Sequence, residues 1–173
     1  MSARKPRNSR RAGHFLAFVI PVYLMAVASF DSSEVTNGEY LKFILATHRG
    51  APEYWSDGRF PAGKENDPVV LVDFHEAAAY CRWVGKRLPK VDEWTTTCDG
   101  GSLQKRGDIW EWTSTDVEMG GQTYKVLCGP AGTCDCSHRY LPGWKNQVKG
   151  FRCVQDSTPV TRLPTYTALR AWS

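Results

Sequence analysis

Polar and apolar positions along this chain fall into helical stripes separated by short extended runs. Thr36, with Glu39 three residues on, forms a capping box, and Tyr40, Phe43, Ile44 and Thr47 then share one helical face. His48 and Arg49 suit the end of that helix, and Gly50 is its expected left-handed stop. Asp73 with Glu76 opens a second helix in the same way, with Phe74, Ala77, Ala78, Cys81 and Val84 on one face and Gly85 as its stop. A third short helix is predicted around Asp92 to Thr97. Between the first two, residues 51–67 are rich in Pro, Gly, Trp and charge and predict an ordered surface loop anchored by Tyr54, Trp55 and Phe60. Residues 68–72 read as a short buried strand, and Ile109 to Thr113 alternate like another. Residues 120–150, rich in Gly, Pro and Cys, predict loops between short strands. There is no internal repeat.

The N-terminal pattern is different. Arg4, Lys5, Arg7, Arg10 and Arg11 precede an apolar run from Phe15 through Phe30, broken by Pro21 and Ser29. That run reads as a membrane anchor, as a signal peptide with Ala26-Val27-Ala28 at its cleavage site, or as the first strands of the fold. The anchor is the expectation carried forward, with the bases keeping the N-terminus cytoplasmic and the domain outside. The resulting division is 1–21 for the basic segment and apolar run (extending to 30 if the whole run is anchor), 22–154 for one domain, and 155–173 for an extended tail. With 42% hydrophobic and 12% aromatic residues in 173, the chain has enough apolar surface for a real core.

Charge sharpens this division. The net +4 is concentrated in the N-terminal segment, because five of the 22 bases precede the first acid, Asp31, and the remaining 17 face 18 acids. A body without a basic stripe argues against a nucleic-acid-reading surface. Six cysteines in so short a chain predict an oxidising, extracytoplasmic compartment, periplasm or cell surface.

Several blocks together carry a resemblance. They are Glu34-Val-Thr-Asn-Gly-Glu-Tyr, Pro68-Val-Val, Ala79-Tyr-Cys-Arg-Trp-Val-Gly-Lys-Arg-Leu-Pro89, Glu93-Trp94, Gly107-Asp-Ile-Trp-Glu-Trp112 and Gly150-Phe-Arg-Cys153. In this order they resemble the formylglycine-generating enzyme (sulfatase-modifying factor) family from about residue 22 to 154. The resemblance implies an α+β, C-type-lectin-like fold with short strands, two to three short helices and much irregular chain. It implies several functional branches: copper-dependent oxidases that make formylglycine, iron-dependent sulfoxide synthases, non-catalytic binding proteins and structural subunits.

The resemblance also implies disulfides joining Cys81 to Cys153 and Cys98 to Cys136. Cys128 and Cys134 are then left near the place where the oxidase branch keeps its copper-binding cysteine pair, since soft thiolates suit Cu(I). The competing reading makes them a third disulfide, and two departures favour it. The family's Arg-Gly-Gly-Ser-Trp block is represented only by Cys128-Gly129-Pro130-Ala131, and the stretch before Trp110-Glu111-Trp112 is cut to residues 100–106. A zinc site from Cys128, Cys134, Cys136 and His138 has no standard spacing, and calcium on Asp57, Glu65 and Asp67 competes with their being solvated loop charges. Trp110 and Trp112 offer a stacking platform or alternate between core and rim.

The function expected from all this is non-catalytic. The chain reads as an exported or anchored lectin-like domain, an accessory subunit or interaction module whose surface over residues 120–150 and tail meet a protein partner or membrane complex. Trp110, Trp112, His138, Arg139 and Trp144 are its candidate binding residues. The alternatives are a copper-dependent oxidase acting on a client cysteine through Cys128 and Cys134, and a virion or diversified receptor-binding protein.

Overall fold

The computed structural model describes residues 28–157. The basic segment, most of the apolar run and the tail beyond residue 157 lie outside the described residues, and with them the anchor expectation. Among the described residues no helix is long and apolar enough to cross a membrane.

A two-residue strand β1 (Ser29–Phe30) leads to helix α1 (Asn37–Thr47). The Thr36 hydroxyl accepts from the Glu39 N–H at 3.2 Å while the Glu39 carboxylate accepts from the Thr36 N–H at 2.8 Å, which completes the capping box. The helix ends two residues earlier than the glycine signal suggested. His48, at φ 54°, takes the left-handed position, and its N–H and that of Arg49 both reach the Ile44 carbonyl. Helix α2 (Phe74–Trp83) has the same box between Asp73 and Glu76 and ends before the left-handed Gly85. Its buried residues are Ala77, Ala79, Tyr80 and Cys81, so the buried face is rotated from the predicted stripe and leaves Val84 exposed.

The strand expected at 68–72 does not form. Pro68 makes one bridge to Thr36, the Val69 N–H goes to Val35, the Leu71 N–H goes to Asn146, and Leu71 turns left-handed at φ 56°. Three separate partners in four residues leave no ladder, although Val69 and Val72 are buried as an apolar run should be.

Helix α3 (Val91–Asp99) precedes the main sheet of β2 (Trp110–Met119), β3 (Gln122–Cys128), β4 (His138–Tyr140) and β5 (Lys149–Gly150), in the order β4-β3-β2-β5. β2 and β3 form an antiparallel hairpin in which Met119 faces Gln122 across Gly120-Gly121, both at positive φ, as a tight hairpin turn requires. The pattern predicts loops between short strands over residues 120–150, and β3 and β4 are two such strands, with β3 paired to the long β2. β5 runs parallel to β2, and β6 (Val154–Gln155) pairs with β1 to close the chain on itself.

The sheet separates two cores, because neighbouring residues of a strand point to opposite faces. Trp112 belongs to the larger one with Tyr40, Phe43, Tyr80 and Phe151 from α1, α2 and the C-terminal run, and Trp55 is buried there too with Tyr54 and Phe60 against it. Trp94, Cys98, Cys128 and Ala131 form the smaller core under α3. Glu111 lies beside Trp112 in the strand and accepts from the Trp94 indole at 3.0 Å. Arg152, 0% exposed, reaches the same carboxylate with Nε at 2.6 Å and Nη2 at 2.7 Å, and also donates to the Ser32 and Gln104 carbonyls. Gly150 admits no side chain, since a Cβ there would sit 2.8 Å from the Val69 carbonyl oxygen.

All six cysteines are bridged. Cys81 pairs with Cys153, tying α2 to the segment before β6. The other two pairs are exchanged relative to expectation: Cys98 joins Cys134 rather than Cys136, and Cys128 joins Cys136. Hairpin register decides this. β3 and β4 align Leu127 with His138, and the Gly129 N–H reaches the Asp135 carbonyl, so the closing loop lays Cys136 beside Cys128 with Cα atoms 4.0 Å apart. Cys134, left-handed at φ 51°, turns out of that loop toward Cys98 at the end of α3.

Candidate binding site

Copper(I) on Cys128 and Cys134 would need two thiolates facing one another, and here the two sulfurs belong to different bridges. The residues as folded do not fit that ion, and the same bridges leave zinc no thiolate among Cys128, Cys134 and Cys136. Among the described residues no three His, Cys, Asp or Glu side chains converge to hold a metal, so Asp57, Glu65 and Asp67 do not form the calcium group considered from the sequence; Asp67 pairs with Lys64 instead.

What the fold does assemble is aromatic. β2, β4 and the turn between β4 and β5 place Trp110, His138, Tyr140 and Trp144 on one side of the sheet. His138 and Tyr140 are two apart on β4 and so share a face, and the His138 ring stacks on Trp110 with centroids 3.7 Å apart. Tyr140 packs against Trp144 at 5.8 Å. Trp144 projects from the turn closed by its own N–H to Leu141 and is 57% exposed, while Trp110, His138 and Tyr140 are half-buried. Together they form a shelf at the edge of the larger core.

Beneath the shelf lies Lys149. In β5 it is opposite Trp110, and its side chain is 1% exposed. Nζ sits 3.1 Å from the centre of the Tyr140 ring, with Trp112 at 5.4 Å and Trp144 at 5.5 Å. Aromatic faces attract the charge, yet they do not replace hydrogen-bond acceptors, and Nζ has no such partner among the described residues. Burial pushes the amine down to about 8. The neighbouring lysines differ: Lys125 lies over Phe74 and pairs with Asp116, and Lys145 pairs with Glu76 at 2.7 Å.

Of the five candidate binding residues, the structure brings Trp110, His138 and Trp144 together. Trp112 is fully buried and serves as the floor of the lysine pocket, not as surface. Arg139, odd in register on β4, faces Val126 on the opposite side and donates to the Ser137 carbonyl. Tyr140 and Lys149 escaped the sequence reading. The available signal for Lys149 was its place directly before Gly150-Phe151-Arg152-Cys153, a block buried throughout.

The fold and shelf define an α+β, C-type-lectin-like domain presenting an aromatic face. The chain belongs to the sulfatase-modifying factor enzyme 1-like domain family, which it matches over residues 20–106, half of its length. It is 31% identical over 160 residues to hercynine oxygenase of Mycobacterium tuberculosis, covering 71% of this chain and 38% of that protein. Against the formylglycine-generating enzyme of Mus musculus it is 33% identical over 117 residues, covering 59% of this chain and 30% of that enzyme. The chain thus spans about a third of the length of the curated relatives it matches. Variable protein 1 of Treponema denticola shares the fold, with a TM-score of 0.53 at 14% identity over 75% of this chain and 84% of that one.

Proposed function

We propose that this domain is a non-catalytic binding module, exported to an oxidising compartment and acting as an accessory subunit or interaction domain of a larger assembly. The observation that carries this reading is the shelf: exposed Trp144 with half-buried Trp110, His138 and Tyr140, around a buried cation, on a scaffold whose six cysteines are all spent in bridges. Three bridges suit an oxidising environment and hold irregular chain in a fixed shape. Aromatic residues at a rim give large contact area at low ordering cost, which suits recognition. In this reading the N-terminal basic and apolar segment tethers the domain at a membrane, where the partner is a protein of the same compartment.

Photo-crosslinking in that compartment tests the proposal. A photoreactive residue replacing Trp144 is expected to capture one defined partner, and the same residue replacing Met119 at the hairpin tip is not. Equal capture from both positions would count against the shelf. The oxidase alternative is checked by incubating the copper-loaded chain with a client cysteine peptide, and appearance of formylglycine would overturn the proposal.

A further inference from the structure

We propose that Lys149 is the anion-recognition group of the shelf, receiving the carboxylate of a ligand whose flat apolar body lies against Trp144 and Tyr140. This inference rests on the reading of the shelf as a binding face. A buried ammonium loses its water shell, and the cost is recovered only where an opposite charge and acceptors meet it. The aromatic rings around Nζ meet part of the charge but none of its three donors. Asp116 is engaged by Lys125 and Glu76 by Lys145, and Glu53 at the mouth of the neighbouring depression makes no hydrogen bond to Nζ. An acceptor from outside the described chain is therefore what the site lacks.

The pocket has one wall that can admit it. Trp112 is fixed in the core and Tyr140 stands on β4, whereas Trp144 belongs to a turn, is mostly exposed, and borders an open depression of about 460 Å3 lined by Glu53, Gly143 and Lys145. Moving that indole sacrifices little buried area, so a ligand reaches Nζ past Trp144. A singly charged carboxylate fits better than a phosphate dianion, because Lys149 offers one positive charge and Glu53, lining the depression beyond Trp144, repels a dianion more strongly. The flat body follows from the ring faces it would meet. The carboxylate can come from an acidic side chain of a protein partner or from a free organic acid.

The test uses the full chain with benzoate and its uncharged counterpart benzyl alcohol, followed by tryptophan fluorescence and calorimetry. Saturable benzoate binding is expected, at least tenfold tighter than benzyl alcohol, and Lys149→Met should abolish the difference while Trp144→Ala weakens both probes. Nζ of 15N-lysine-labelled protein should shift on adding benzoate, a readout that does not depend on any variant folding. A blocked Phe-Glu-Phe peptide against its Phe-Gln-Phe counterpart separates the sources: tighter binding than benzoate points to a protein acid, weaker to a free organic acid. Absence of benzoate binding, or equal binding by Lys149→Met, overturns the inference. If crosslinking from position 144 survives that result, the shelf stands as a binding face and only the carboxylate is lost.

Discussion

Arg152 and Lys149 lie three residues apart in one C-terminal run, each with its charge inside the protein, and their surroundings could hardly differ more. Arg152 meets Glu111 through two bonds under 3 Å and adds the Ser32 and Gln104 carbonyls, so its guanidinium joins β2, the segment after β1 and the chain before β2. Among the described residues, the Lys149 ammonium meets aromatic rings and no hydrogen-bond acceptor. A cation whose donors are all answered from within closes the fold, and one whose donors are unanswered leaves interaction capacity for something else. The first arrangement organises the domain from its centre, and the second sits where the core opens onto the shelf.

Substitution should separate the two most sharply at Arg152. Arg152→Met strands Glu111 and Glu34 in the interior and is expected to cost about 3–5 kcal/mol in urea unfolding, because removing one partner of a buried pair leaves an uncompensated charge. A cost below about 1 kcal/mol would dissolve the contrast.

Lys149→Met is expected to act in the opposite direction. The folded amine titrates at about 8 against an ordinary 10.5, so the unfolded chain holds the proton more tightly between those values. Native stability then rises with pH across that window by roughly 3 kcal/mol at most, and the methionine variant, lacking the group, should be more stable below pH 8 by a similar amount. Unfolding midpoints of both proteins from pH 7 to 10.5 check this, and a gap that does not narrow with pH would show the charge is already satisfied.

Glu34 tests the other side of the arginine cluster. Burial is the main cause that raises its carboxyl above 4.5, with the Glu111 carboxylate adding to it, while the Glu34 and Arg106 backbone N–H groups and Arg152 oppose. A carboxyl raised on folding favours the native state when protonated, so its contribution is full below 4.5 and declines as pH climbs through the folded value. Glu34→Gln should remove that decline and change stability at pH 4 by no more than about 1 kcal/mol, since the amide oxygen can still accept from Arg106. The smallest effect is expected at the rim: Trp144→Ala should alter stability by about 0.5 kcal/mol or less while weakening the binding of both benzoate and benzyl alcohol.

Much of the fold was legible in single residues. Thr36 with Glu39 and Asp73 with Glu76 specified two helix starts, because a capping box is satisfied within four residues of chain and needs nothing from elsewhere. Trp110 and Trp112, two apart on β2, share one face, and only packing decided that Trp112 is core and Trp110 rim. The strand at 68–72 failed because its apolar pattern reports burial, which Val69 and Val72 do have, but carries no information on whether one neighbour supplies a continuous ladder. Short strands were expected within residues 120–150, but the bounds of β3 and its pairing with β2 were hidden by polar residues near the hairpin tip, where both faces meet water and the alternating signal vanishes.

The candidate site was legible only in part, for the same kind of reason. Residue type marked Trp110, His138 and Trp144, yet whether they touch depends on strand order, and Arg139 beside them was lost to the opposite face by one step of register. The sequence by itself determined the helix caps, the apolar content of the core and the family, since each is written in local spacing or in short blocks. Tertiary structure decided which cysteines met, because hairpin register sets the distance between Cys128 and Cys136, and it decided that Lys149 is buried among rings without an acceptor, because burial and pairing are properties of neighbours that the chain brings from far along its length.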